Sequence, residues 1–238
     1  MFVIPCKYNP TDDVENSYVV RCVESIRAHH PDEKILIVDS DSDDLSYFKH
    51  LKNTPNLILA DAKNRNYLDG AIWYAFNKYP DEEWYCLLQD SITLKHPLDE
   101  FIKGEELFYS LMWFAEHIGG EKEMKYLKNV FDGHLNKYKL KHDRIHAPGN
   151  SIIGCWGPCF VAKKEMLQRL KENNLDKYLP DDKFGSNVSE RIWGMCLKYE
   201  GIDIQQNSID GNFLAIALPR HLFNSKTKYH NKIYGGRQ

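Results

Sequence analysis

Cys86-Leu87-Leu88-Gln89-Asp90-Ser91-Ile92-Thr93-Leu94 reads as a buried strand that runs straight into a polar tip. The apolar run from Trp84 to Leu88 predicts a strand covered on both faces. Gln89-Asp90-Ser91 then stands where the chain leaves the sheet. Alone, such an Asp is a turn residue that caps the next segment. Its meaning depends on what lies around it.

Three earlier stretches repeat the pattern. Phe2-Val3-Ile4-Pro5-Cys6 is followed by Lys7-Tyr8-Asn9-Pro10, Ile35-Leu36-Ile37-Val38 by Asp39-Ser40-Asp41, and Leu57-Ile58-Leu59-Ala60 by the polar loop Lys63 to Asn66. Asp12 and Glu15 form a capping-box pair, after which Val14, Tyr18, Cys22 and Ile26 recur at helical spacing. A second helix is expected from about Leu68 to Lys78. Strands alternating with helices through long connections predict an α/β fold, a mostly parallel central sheet with helices on both faces. Ligands in such sheets bind where the carboxyl ends of the strands converge, so four polar strand ends in series mark one candidate site.

Beyond Pro97 the rhythm changes. Leu107 to Phe114 fits strand or helix equally. A helix is expected around Glu121 to Phe131, a loop from Gly133 to Ser151, a strand at Cys159 to Ala162, and helices over Lys163–Glu172 and Ser189–Tyr199. The 238 residues are read as one domain of two halves, about 1–95 and about 96–238, the second ending in a basic tail.

The apolar content of 42% and aromatic content of 13% are those of a globular protein. With 31 Lys and Arg against 34 Asp and Glu, the net charge of −3 argues against a nucleic-acid-binding surface. No run of 18 apolar residues crosses a membrane, and the start MFVIPCKYNP lacks the features of a signal peptide. The six cysteines sit mostly in apolar runs without CxxC spacing, which predicts buried free thiols and a cytoplasmic setting.

A carboxylate at the mouth of a parallel sheet is well sited to hold a hard cation against a diphosphate, since Mg²⁺ often takes one or two carboxylates plus phosphate oxygens. From this point the chain resembles the GT-A-fold glycosyltransferases, nearest in layout to the inverting enzymes of family 2. The resemblance is carried by FVIPCKYN, ILIVDSDSDD, KNRNYLDGAIWYAFN, WYCLLQDSITL, GPCFVAKKEMLQRL and SERIWGMCLKYEGIDI, in the family's order over residues 1 to about 204.

The resemblance implies a nucleotide-sugar donor bound by the half over about 1–95, a glycan or glycoconjugate acceptor bound by the half over about 96–238, and a divalent metal, Mn²⁺ or Mg²⁺. It implies that Pro5, Lys7 and Asn9 line the nucleotide pocket, that Asp39 reaches the base or ribose, and that Asn64 and Arg65 close over the nucleotide with Asp69 nearby. Asp90, with Gln89 beside it, falls at the family's metal-binding position, where two acids are usual and this chain has one. Glu190 falls where the family draws its catalytic base, with Asp181 and Asp182 as competitors. The base is needed because an inverting transfer must remove the acceptor hydroxyl proton as the sugar carbon is attacked.

The tail HLFNSKTKYHNKIYGGR is basic and holds no acid. His221 and His230 are candidates for the missing metal ligand, and Lys226, Lys228 and Arg237 for pairing with a diphosphate. Trp156, beside Gly157, is read either as a sugar-stacking ring or as packing, and Trp193 as packing. Two enzyme alternatives lack their signatures: Lys7-Tyr8-Asn9-Pro10 has no glycine for a nucleotidyltransferase loop, and no GxGxxG follows the first strand. The remaining alternative is a non-catalytic nucleotide- or carbohydrate-binding relative.

Overall fold

The four apolar runs of the N-terminal half are β1 (Phe2–Cys6), β2 (Ile35–Asp39), β3 (Leu57–Ala60) and β4 (Trp84–Leu87), alternating with α1 (Tyr18–His29), α2 (Ser46–Leu51) and α3 (Tyr67–Lys78). The structure is a computed structural model and describes residues 1–8, 14, 17–116, 120–138, 152–213 and 223–232. β1 runs parallel to both β2 and β4, and β2 parallel to β3. The chain steps outward from β1 to β3, and α3 then carries it back to β4 on the other side of β1. That reversal opens a crevice between the carboxyl ends of β1 and β4.

Pro5 helps to open it. Phe2 lies opposite Cys86 and Val3 opposite Leu87, and the N–H groups of Cys86 and Leu88 donate to the carbonyls of Met1 and Val3. The next rung needs a donor at position 5, where proline has none. The pairing stops there, and Lys7 and Gln89 are left on opposite sides of the gap.

The second half contributes β5 (Ile92–Leu94), α4 (Asp99–Ile102), β6 (Phe108–Ser110), β7 (Trp113–Glu116), α5 (Glu121–Gly133), β8 (Ile152–Cys155), β9 (Phe160–Lys163), α6 (Lys164–Glu172), α7 (Lys183–Tyr199), α8 (Phe223–Lys226) and β10 (His230–Lys232). β9 inserts antiparallel between β4 and β6, giving the order β3-β2-β1-β4-β9-β6. The fold is therefore the expected α/β type with a mostly parallel central sheet.

Alternate residues of each central strand feed opposite cores. Phe2, Ile4, Ile35, Ile37 and Cys86 pack with Val19, Val23 and Ile26 of α1 and Tyr47 of α2. Val3, Leu36, Val38, Tyr85 and Leu87 pack with Ala71, Ile72 and Ala75 of α3, Met166 of α6 and Ile192 and Trp193 of α7. Burial on both faces explains why these strands read as continuous apolar runs rather than as alternations. All six cysteines are free and buried.

Several boundaries differ from expectation. The opening stretch is two strands: β4 stops at Leu87, the Ile92 N–H closes a turn onto the Gln89 carbonyl at 2.9 Å, and β5 pairs with β10 in a separate sheet. The ambiguous 107–114 run is also two strands, β6 in the main sheet and β7 paired with β8. The last long helix starts at Lys183, six residues before Ser189. Its first five residues include Gly185, Ser186 and Asn187, poor helix formers that tertiary contacts override. The expected capping pair, Asp12 and Glu15, lies outside the described residues, as do 139–151 of the expected loop.

Candidate active site

A cleft of about 480 Å³ opens at the β1/β4 crevice, walled by Lys7, Tyr67 and Gln89 on the strand side and by Lys183, Asn187 and Glu190 of α7 on the other. Three of the predicted residues, Lys7, Gln89 and Glu190, therefore come together in one cavity. Lys7 is exposed at the end of β1. Pro5 lies buried within the strand, opposite Val38. Asn9 is outside the described residues.

Asp39 is buried and builds the turn after β2. Its Oδ1 accepts from the Ser42 N–H at 2.9 Å and its Oδ2 from the Tyr47 hydroxyl at 2.6 Å. Its backbone carbonyl accepts from the Asn64 N–H at 2.9 Å, which ties the β3–α3 loop to the β2 end. In that loop the Asn64 side chain donates to the Tyr67 carbonyl at 2.6 Å and accepts from the Asn66 N–H at 3.0 Å. Tyr67 is thereby held at φ 42°, a left-handed conformation that a tyrosine adopts only under such constraint. Arg65 is exposed and pairs with Asp41 at 3.2 Å.

The constraint on Tyr67 has a purpose at the next strand. Its hydroxyl donates to Asp90 Oδ1 at 3.1 Å, and Asp90 itself is buried. The opening carboxylate is thus a held group behind the cleft wall, not an exposed turn cap.

On the opposite wall, Glu190 Oε1 accepts from the Gly157 N–H at 2.9 Å. Glu190 lies two turns inside α7, so it is not the first-turn acid that the sequence implied. Asp182 is the N-cap, its Oδ1 accepting from the Gly185 N–H at 2.6 Å. Asp69 lies in the first turn of α3 and is buried against α7 rather than facing the cleft. It accepts from Ser189 Oγ at 2.7 and 2.9 Å and from the Trp193 indole at 2.7 Å. Burial pushes its carboxyl up to about 6, and the bonds from Trp193 and Ser189 oppose that rise. Arg191 pairs with Glu123 of α5 at 2.7 Å.

The tail reaches the site through β10. His230 is buried, faces Leu94 across the strand pair and places Nδ1 2.5 Å from Asp210 Oδ2. Burial lowers its pKa despite that carboxylate. Two positions further, the Lys232 ammonium donates to Gln89 Oε1 and Ser91 Oγ. Lys226 is exposed on α8, and His221 and Arg237 lie outside the described residues. Trp156 stacks on Phe213 at 4.8 Å between ring centroids, and Trp193 is fully buried.

Among the described residues no three His, Cys, Asp or Glu side chains gather as a metal-holding group. Asp90 is a single acid already accepting from Tyr67, and the oxygens on either side of it hold an ammonium. A hard divalent cation needs several oxygen ligands and is opposed by a fixed positive neighbour. The described donor set does not fit the divalent metal that the resemblance implies, and His230 is turned to Asp210.

Tyr67, Gly157, Lys183, Asn187 and Lys232 are parts of the site that the sequence reading did not single out. Lys232 alone carried a local signal, being one more base in an acid-free tail.

No protein-family model and no curated protein matches the chain. Among solved structures, the chain is similar to core-mannan synthase A (CmsA/Ktr4) from Aspergillus fumigatus in its Mn/GDP form. The identity is 11% and the TM-score 0.48, over 87% of this chain and 71% of that one. It is similar to a CMP:2-keto-3-deoxy-manno-octonic acid synthetase complexed with CTP, at 14% identity and TM-score 0.47 over 89% of each chain. It is also similar to S. aureus TarS 1–349 in complex with UDP, at 13% identity and TM-score 0.43 over 78% of this chain. The chain spans about half the length of that TarS structure.

Proposed function

We propose that the chain is an inverting glycosyltransferase that moves a sugar from a nucleotide-diphosphate donor to a hydroxyl of a glycan or glycoconjugate. The observation that carries this reading is the meeting of Glu190 with the β1 and β4 ends across one cleft. The donor diphosphate lies over those strand ends, within reach of Lys7 and Lys183, and the nucleoside extends toward the turn shaped by Asp39 and Asn64. The acceptor hydroxyl enters from the side of α7. Residues 1–95 supply the donor half and the remainder the acceptor half.

Glu190 is the base. The Gly157 N–H fixes one of its oxygens, which orients the carboxylate. As the acceptor oxygen attacks the sugar C1, its proton passes to Glu190, and the bond from C1 to the diphosphate oxygen breaks with its electron pair on that oxygen. Cationic groups at the strand ends stabilise the charge that develops there. Six buried free thiols suit a reducing compartment.

The test is a thermal-shift panel of UDP, GDP, CDP and dTDP sugars, followed by donor turnover with the binding sugar nucleotide. A shift with one base and slow release of its diphosphate is expected, because a transferase leaks donor hydrolysis. A chain that binds none of them is not this enzyme, and one that binds without releasing diphosphate is a binding module.

A further inference from the structure

The residues that flank Asp90 already grip a positive charge. Lys232 Nζ donates to Gln89 Oε1 on one side of the carboxylate and to Ser91 Oγ on the other. It lies 5.6 Å from the centroid of the Trp156 ring, whose face favours a cation. Gln89 and Ser91 are neutral acceptors, and their two bonds orient the ammonium at the β4 end. Gln89 also lines the cleft, so the ammonium is held by a residue of the cleft wall.

The segment that delivers Lys232 is fastened for the purpose. β10 pairs antiparallel with β5, setting Lys232 opposite Ile92, two residues after Asp90. Asp210 accepts from the N–H groups of Lys228 at 2.7 Å and Tyr229 at 3.1 Å and from His230. Lys95 donates to the Thr227 carbonyl at 2.6 Å, and the Lys232 N–H donates to Asn224 Oδ1 at 2.8 Å. A lysine on a loose tail would lose most of its charge interaction to side-chain and backbone entropy; one on a clamped strand is pre-organised.

Resting on the glycosyltransferase reading, we propose that Lys232 is the resident cation of the donor site, binding the nucleoside diphosphate without a divalent metal. The ammonium meets the diphosphate at the strand end and stabilises the oxygen that takes the electron pair when the bond to the sugar breaks. Asp90 keeps a positioning role through Tyr67.

The experiment is calorimetric titration of the full chain with UDP, GDP, CDP and dTDP, in excess EDTA and again in Mn²⁺. One nucleotide is expected to bind with the same affinity in both. Lys232→Gln is expected to weaken it about tenfold or more, and Lys232→Arg to recover most of the loss. Thermal unfolding of the ligand-free variants establishes that they fold, and the EDTA comparison on the unaltered chain depends on no variant. Binding that requires Mn²⁺, or that a folded Lys232→Gln leaves unchanged, overturns the resident cation and leaves the donor reading standing. No binding of any of the four in either condition overturns both.

Discussion

The Ser189 hydroxyl lies 2.7 and 2.9 Å from the two carboxylate oxygens of Asp69, joining α7 to α3 across 120 residues of sequence. The Trp193 indole, one helical turn on, donates to the same carboxylate at 2.7 Å. A buried acid with no cation among these partners therefore sets the position of the helix that carries Glu190. Ser189 immediately precedes Glu190, so a shift at Asp69 moves the cleft wall.

That arrangement has a pH signature. Asp69 has its pKa raised by burial from 3.8 to about 6. The folded state therefore holds the proton over a range where the unfolded state has released it, and stability falls as pH rises from about 4 to about 6, then levels. The loss is roughly 3 kcal/mol. Urea midpoints of the unaltered chain and Asp69→Asn, compared from pH 4.5 to 7.5, isolate this contribution. If the two chains lose stability in parallel over that range, Asp69 is not the group responsible.

Glu190→Gln keeps an oxygen to accept from the Gly157 N–H but cannot take a proton. Transfer is expected to fall at least about 100-fold, since general-base catalysis contributes on that order, with nucleotide affinity unchanged. A parallel loss of affinity would make Glu190 a binding group instead.

Gly157 has φ 54°, and a Cβ there would sit 2.5 Å from Gln89 Nε2. Gly157→Ala therefore strains the backbone by about 1–2 kcal/mol and pushes Gln89 off Lys232. Lower melting temperature together with weaker nucleotide binding is the expected result; a variant matching the parent in both would show that the loop yields without disturbing the site.

Asp182→Ala removes the N-cap of α7 and is expected to cost about 1 kcal/mol, measured by chemical unfolding, while transfer persists. Asp182→Asn keeps a capping oxygen and should restore the stability. Were this stable variant inactive, the base would be Asp182 and not Glu190.

Much of the fold was legible because burial on both faces writes itself into short sequence windows. β1, β2, β3 and β4 fall within a residue or so of their apolar runs, and their polar ends marked the mouth of the crevice. The split at 88–91 was not legible, since Ile92 and Leu94 are as apolar as Leu87 and only pairing tells which sheet they join. The start of α7 was hidden for the opposite reason: Gly185 is kept by crowding against Tyr126 and Pro180, contacts that no local propensity reports.

By itself, the sequence determined an α/β chain with one acid at the fourth strand end and a basic tail far from it. It offered His221, His230, Lys226, Lys228 and Arg237 as links between the two, and not Lys232. Tertiary structure decided that Lys232 lands on Gln89 and Ser91 from 143 and 141 residues away, that His230 turns to Asp210, and that Glu190 faces Gly157. The reason is physical: hydrophobic periodicity records how each segment is buried, whereas a contact between distant side chains depends on register and packing accumulated over the whole fold.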